Sequence, residues 1–432
     1  MSRVLILGAG VSGLAAARLA RSREMAVTVY AEDAPNGALQ EGFGVASGGW
    51  DPVLLNGVDL VVTSPGFSER ALPIVEALEW GIPVWSEIEF AWRHLDIPVA
   101  AITGTNGKTT VTEATSAMLA ASGIDAPATG NIGSALSDHV DQGHEAVVVE
   151  VSSFQLRFCQ TFHPAAAAIT NVAVDHLDWH GSEHSYRSAK ARIFMNQTGE
   201  DLLVYDADDE GASSLAANAP SELFPVSGAR LPVGGGGLDG SRLVIGELSI
   251  AVDELTSDDP THLVNMASAS ALALRMGATA EGVARAAHLF SPGPHRRATV
   301  ARSGGVAWVD DSKATNPHAA LSSIRAHDSV VLIAGGLAKG MDVSPLAREP
   351  KVRLLLGIGA AGPDLVEVAG ERGRLAETLE RAVELAAELA IPGDTVLLAP
   401  GCASFDQFNS YAERGETFGR LVSEITREGS TK

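Results

Sequence analysis

Cysteine is almost absent. Cys159 and Cys402 are the only two in 432 residues, so no disulfide framework staples this fold, and both are expected as small buried groups in a reducing compartment. Basic residues are also scarce: 31 lysines and arginines face 53 aspartates and glutamates. The resulting net charge of −22 disfavours nucleic acid and anionic membrane surfaces as partners. No apolar run approaches the roughly 18 residues that a spanning helix needs, and mean hydropathy is only +0.13. The first apolar stretch, Val4 to Ala17, is interrupted by Gly8, Gly10 and Gly13, which argues against a signal-peptide core. These absences predict a cytoplasmic protein with no membrane or nucleic-acid partner, long enough for several domains.

Strands and helices alternate along the whole chain, which predicts an α/β class throughout. Val4 to Leu7, a glycine turn, an Ala/Leu helix and Ala26 to Tyr30 read as a βαβ opening. A second strand-turn-helix unit starts at Val99, just after Asp96-Ile97-Pro98. Its further elements are strands at Ala146 to Val151 and Ala165 to Thr170, then a helix from Ser185 to Asn196. Pro232 to Gly240, with four consecutive glycines, reads as a flexible surface loop. Ser291-Pro292-Gly293-Pro294 ends a helix, and strands restart at Val306, Val330 and Val352. Leu375, Leu379, Val383, Ala386 and Leu389 share one helical face and predict a core-covering helix. The boundaries place three domains at residues 1–93, 94–292 and 293–432.

Two glycine loops carry chemistry. Gly8-Ala9-Gly10-Val11-Ser12-Gly13 matches the dinucleotide fingerprint, with Glu32 and Asp33 after the next strand. Taken alone it suits NAD(P) or another nucleotide equally. Thr63-Ser64-Pro65-Gly66 ends a neighbouring strand and offers backbone donors to the same ligand. The second loop, Gly104-Thr105-Asn106-Gly107-Lys108-Thr109, lies between the Val99 strand and a helix beginning near Thr110. Such a loop cradles nucleotide phosphates with backbone N–H groups, while its lysine neutralises them and its threonine ligates Mg²⁺. The usual pattern is incomplete, because Ile102 stands at its first glycine. Glu150, among four valines, needs a metal or a hydrogen-bonding partner if buried. Asp175, His176, Asp178 and His180 follow the next strand. Glu150 with His176 makes a mixed oxygen and nitrogen set suited to Mg²⁺ or Mn²⁺.

These residues together resemble the Mur ligase family: the Gly104 to Thr109 loop, Glu150-Val151-Ser152-Ser153-Phe154-Gln155-Leu156, Asp175-His176-Leu177-Asp178 and Ala189-Lys190. Asp311-Ser312-Lys313-Ala314-Thr315-Asn316 and Cys402-Ala403-Ser404-Phe405-Asp406-Gln407-Phe408 are similar to its D-glutamate-adding branch. The resemblance implies a Rossmann-like first domain that holds a UDP-sugar, a central P-loop ATPase-type α/β domain, and a Rossmann-like third domain for the amino acid. It implies ATP-driven amide formation between UDP-N-acetylmuramoyl-L-alanine and D-glutamate through an acyl phosphate, in peptidoglycan precursor synthesis, by a monomer. It assigns Gly104, Thr105, Asn106, Gly107, Lys108, Thr109, Thr110, Asn265, Arg296, Asp311 and Lys313 to ATP. Val11, Ser12, Ser64, Pro65, Gly66 and Asn131 go to the UDP-sugar, and Thr315, Lys339, Ser404 and Tyr411 to D-glutamate. Lys108, His176 and Lys190 are the implied catalytic groups. Two Mg²⁺ ions would be held by Thr109, Glu150, His176 and Lys190, the last as a CO₂-derived carbamate.

Three positions depart from the family pattern. Ala31 stands where an aspartate is common, leaving Glu32 or Asp33 for any uracil contact. His262 precedes Asn265 in an altered segment, and Leu337-Ala338 lacks an acidic residue before Lys339. Competing readings are a ligase for another amino acid, an NAD-dependent oxidoreductase, and a noncatalytic relative. The oxidoreductase leaves the Lys108 loop and Glu150 with His176 unexplained.

Overall fold

The structure, a computed structural model, describes residues 1–33, 36–291 and 293–429. Two compact units divide the chain, Met1–Ser291 and Pro292–Lys432. Pro292, in the helix-stopping segment predicted from sequence, and the side chain of Asp178 lie outside the described residues.

The first unit contains two sheets. In the smaller, β1 (Arg3–Leu7), β2 (Ala26–Ala31), β3 (Gly44–Ser47), β4 (Leu60–Thr63) and β5 (Val84–Ser86) run parallel in the order 3-2-1-4-5. Val4 to Leu7 are buried on both faces, which is why the strand is continuously apolar rather than alternating. The order reverses beside β1, so the loops leaving β1 and β4 open a crevice at the strands' carboxyl ends.

The larger sheet comprises β6 (Val99–Thr103), β7 (Ala128–Gly130), β8 (Val147–Glu150), β9 (Ala166–Ile169), β10 (Leu202–Asp206), β11 (Glu222–Ser227), β12 (Gly236–Asp239), β13 (Arg242–Ile245) and β14 (Leu248–Ala251). Their order is 14-13-12-11-10-9-6-8-7, with antiparallel pairing confined to β12, β13 and β14. The fully buried β6 sits between β9 and β8, third from the β7 edge, so its carboxyl end delivers the Gly104 loop between the ends of those two strands. Helices Lys108–Ala121 and Pro260–Arg275 pack on each other through small residues. The buried hydroxyls of Thr115 and Ser268 donate to carbonyls four residues back, which lets polar residues line that contact without loss.

Two sequence expectations are corrected here. Pro232 to Gly240 is not simply a loop, since Gly236 and Gly237 are buried on β12, where side chains would collide with Phe224, Arg230 and neighbouring backbone. Close approach, not flexibility, is what these glycines provide. The helix at Ser185 to Asn196 is Glu183–Ala191, capped by Ser182 and followed by turns.

The second unit forms one sheet of β15 (Ala298–Ser303), β16 (Val306–Asp310), β17 (Val330–Gly335), β18 (Val352–Ile358), β19 (Gly373–Glu377) and β20 (Thr395–Leu398), in the order 15-16-20-17-18-19. Only β15 is antiparallel. Leu375 belongs to β19 rather than to the predicted helix, which starts at Leu379 after its cap Thr378. Among the described residues no helix is long and apolar enough to cross a membrane.

Helix Glu87–Trp92 joins the two layers of the first unit through two buried acids. The Glu89 carboxylate accepts from the backbone N–H groups of Gln160, Thr161 and Phe162, the Thr161 hydroxyl and Arg93 Nε. Glu87 Oε1 accepts from Ser137 N at 2.6 Å, and burial pushes its carboxyl up to about 7 against that hydrogen bond. Folded protein therefore keeps a proton that the unfolded chain releases near 4.5, so stability falls as pH rises between these values. The shift corresponds to about 3 kcal/mol. Glu87→Gln should be stabilised relative to the parent by a few kcal/mol at pH 8 and little at pH 4.5, measured by urea unfolding; a pH-independent difference contradicts this.

Candidate active site

The Gly104 loop is held from beneath. Asn106 N donates to Asn171 Oδ1 at 2.8 Å, while Thr170 Oγ1 and Asn171 Nδ2 both donate to Asn106 O. Thr105 N donates to Asn171 O, and Thr105 Oγ1 lies 2.9 Å from the Tyr186 hydroxyl. Gly104 has φ +151°, and a Cβ there would collide with Thr170 Oγ1. That position must be glycine for strand β9 to support the loop. Asn265 approaches from the second helix, since a Cβ on Gly107 would lie 2.9 Å from its Oδ1. Thr109 is partly exposed in the first turn and Thr110 buried. His262 is buried, with Nε2 3.4 Å from Thr256 Oγ1, so it packs in the interior.

Two lysines converge on one oxygen. Lys108 Nζ donates to Gly104 O and Thr105 O, both at 2.9 Å, and Lys190 Nζ donates to the same Gly104 O at 2.7 Å. Lys190 is 1% exposed. Burial, and then the neighbouring Lys108, hold its ammonium well below the ordinary value, with Asp175 and Glu150 acting in the opposite direction. A neutral amine is the expected form of such a lysine.

Glu150 ends β8 at 2% exposure. Its Oε1 accepts from Asn131 Nδ2 at 2.8 Å, but its Oε2 is buried without a hydrogen-bond partner. An orphaned carboxylate oxygen beside a phosphate-type loop fits a divalent cation. His176 begins a short helix with φ +52°, its ring 4.7 Å edge-on to Phe154 and its Nε2 3.7 Å from Asp175 Oδ2. Among the described residues no three His, Cys, Asp or Glu side chains converge as a ready-made metal centre. Glu150 thus offers its free oxygen without a preassembled cluster. His180, beneath His176, lies 2.9 Å from Ser153 Oγ and is pushed down to about 4 by burial.

The crevice of the smaller sheet brings its two predicted loops together. Ser64 Oγ is buried, unpartnered and would lie 2.6 Å from a Cβ on Gly8. Val11 and Gly66 are exposed, Ser12 and Pro65 half-buried, and Glu32 and Asp33 exposed at the end of β2.

In the second unit, Lys313 Nζ sits 3.7 Å over the Tyr411 ring, and Lys339 Nζ 5.4 Å from the Phe405 ring. Leu337 bridges Ala403, which ties the Lys339 segment to buried Ser404. Thr315 follows Lys313, its N–H donating to Lys313 O. Asp311 is buried, and desolvation raises its carboxyl against the pull of Arg297. Arg297 and not Arg296 pairs with it, through Nε at 3.9 Å.

Sequence reasoning missed three supports. Thr170 and Asn171 brace the loop, signalled only by two polar residues ending an apolar strand. Arg414, 1% exposed, donates to Ser312 Oγ and O and to Cys402 O, joining both motifs of the second unit. Its signal was a lone arginine three residues into the last helix. Arg297 was hidden beside Arg296.

Comparison with known proteins places these features in a family. Residues 2–86 match the Mur ligase MurD-like N-terminal domain, 102–227 the Mur ligase middle domain, and 295–402 the Mur ligase glutamate ligase domain. A protein of Frankia casuarinae named UDP-N-acetylmuramoylalanine--D-glutamate ligase is 42% identical, covering 99% of this chain and 94% of its own. One of the same name from Pelotomaculum thermopropionicum is 36% identical, covering 98% of each. In fold, the chain is similar to MurF ligase of Thermotoga maritima, solved in complex with ADP, at 17% identity, TM-score 0.60 and coverage of 93% and 95%. The UDP-N-acetylmuramate-alanine ligase of that organism gives 18%, 0.58 and complete coverage of both chains. With 36–42% identity running nearly the full length of the named ligases and all three family domains matched, the chain belongs to the Mur ligase family.

Proposed function

We propose that this chain is an ATP-dependent ligase that joins D-glutamate to UDP-N-acetylmuramoyl-L-alanine, releasing ADP and phosphate, in cytoplasmic peptidoglycan precursor synthesis. The observation that carries the chemistry is the meeting of Lys108 and Lys190 on Gly104 O beside the orphaned Glu150 oxygen. The names of the relatives support the substrates.

A carboxylate is a poor acyl donor, because its leaving group would be oxide. Transfer of the γ-phosphoryl group of ATP to the substrate carboxylate gives an acyl phosphate, and the D-glutamate amine then displaces phosphate. Such transfer demands alignment and charge neutralisation more than covalent help. The Gly104 to Thr110 loop is assigned to the phosphates: Asn171 takes the N–H groups of Thr105 and Asn106, so the donors are those of the helix N-terminus from Gly107 to Thr110, and Lys108 swings from its two carbonyls to meet the phosphates. Asn265, and in the second unit Arg296, Asp311 and Lys313, are assigned to ATP. Arg297, paired with Asp311, keeps that carboxylate oriented. Two Mg²⁺ ions, with Thr109, Glu150, His176 and carbamylated Lys190 as ligands, would neutralise the transferring group. Lys190 takes up CO₂ as a neutral amine: its nitrogen bonds the carbon, one C=O electron pair moves onto oxygen, a proton leaves the nitrogen, and a buried neutral group becomes a buried anion.

Val11, Ser12, Ser64, Pro65, Gly66 and Asn131 are assigned to the UDP-sugar, with the unpartnered Ser64 hydroxyl as a donor to it. Thr315, Lys339, Ser404 and Tyr411 are assigned to D-glutamate, where an ammonium and hydroxyls suit two carboxylates. On this reading residues 1–93, 94–292 and 293–432 serve UDP-sugar, ATP and amino acid in turn, in a monomeric protein.

Phosphate release from ATP with UDP-N-acetylmuramoyl-L-alanine should require D-glutamate and stay at background with L-glutamate, L-alanine, L-lysine or diaminopimelate. Release with another amine would keep the mechanism and overturn the amino-acid assignment. Lys190→Ala should lose about ten- to a hundredfold in activity, the scale of a lost metal-site group. Short-chain carboxylates such as acetate should restore part of it, whereas failure of every carboxylate to rescue contradicts an anionic Lys190.

A further inference from the structure

A cavity of about 410 Å³ opens inside the first unit, between the edge of the smaller sheet and the segment after β8. Its wall contains none of the residues assigned above. Among the described residues, three guanidinium groups, Arg70, Arg157 and Arg192, line it against one carboxylate, Glu69. Glu69 is committed to Arg157 Nε. Arg192 Nη1 donates to Cys159 O at 2.5 Å, but a carbonyl balances no charge. Each guanidinium carries five N–H donors. With Arg157 paired to Glu69, the Arg192 charge is left over, and both guanidinium groups have donors to spare, in a chain whose net charge is −22.

Planar donors in pairs match phosphate better than they match any neutral group. The volume is that of a small-molecule site, and Phe158 and Leu78 add an apolar face beside the arginines. We propose that this cavity binds a phosphoryl group on Arg157 and Arg192, as a second anion site separate from the Gly104 loop. The site stands independently of the reaction proposed above. The source of the group is either free phosphate or a phosphorylated metabolite whose remainder lies on Phe158 and Leu78.

The test is calorimetric titration of the full-length chain with inorganic phosphate and with phenyl phosphate at fixed ionic strength. A Lys108→Ala background removes the main cation of the nucleotide loop. Both probes should bind, and Arg157→Gln or Arg192→Gln should weaken them by about tenfold or more, the scale of a lost charge-assisted pair. Leu78→Glu, at a position 54% exposed and so harmless to folding, places a carboxylate at the rim and should weaken both as well. Tighter binding of phenyl phosphate assigns the site to a phosphorylated metabolite, and equal affinity assigns it to the free anion. Absence of binding at millimolar concentration, or affinities unchanged in Arg157→Gln, Arg192→Gln and Leu78→Glu, overturns the proposal.

Discussion

Two lysine ammonium groups cannot share one carbonyl oxygen cheaply, and on that constraint the candidate active site depends. Lys108 and Lys190 both donate to Gly104 O, and Lys190 does so from full burial. Like charges this close in a medium of low dielectric repel by several kcal/mol even at an effective dielectric of about 20. The interior answers by holding the Lys190 ammonium well below its ordinary value. Burial alone would favour that, and Lys108 adds to it, while Asp175 and Glu150 pull the other way without prevailing. A neutral buried amine is nucleophilic toward CO₂ in a way that a solvated lysine is not, so geometry supplies the condition for the modification proposed here.

The rest of the first unit holds that geometry in place. Strand β6 delivers Gly104 between β9 and β8, and β9 leads into Thr170 and Asn171, whose side chains take up the loop's backbone groups. Strand β8 ends in Glu150, fixed through one oxygen by Asn131 so that the other stays open. Tyr186 and Lys190 reach the loop from one short helix, with the Tyr186 hydroxyl against Thr105. Glu89 secures the layer below by accepting from three consecutive backbone N–H groups. Each of these groups is fixed by the end of a strand or by a short helix, which gives the preorganisation phosphoryl transfer needs.

What was legible in the sequence was what is local. A glycine loop followed by Lys-Thr after an apolar strand states its own purpose, and Glu150 among valines announces an oxygen needing a partner. What pairs across distance was not legible. Gly236 and Gly237 read as flexible because their role, admitting Phe224 and the Arg230 carbonyl, exists only once β11 and β13 are alongside. Leu375 fell on helical spacing by coincidence, since a strand and a capped helix meet at Thr378. The pairing of Arg297 with Asp311 was not legible either, since it joins residues fourteen apart where the chain turns with Arg297 at φ +51°. Arg414 is the same lesson in the last helix: its value is the two loops it joins, and those lie about a hundred and a dozen residues away.

The most direct measurement is ¹³C NMR of the protein equilibrated with ¹³C-labelled bicarbonate, with Lys190→Ala as the control. The account predicts a carbamate carbon resonance that is present in the parent, absent from Lys190→Ala, and rising with bicarbonate in parallel with ligase activity. Full activity with no such resonance at any bicarbonate concentration would contradict it.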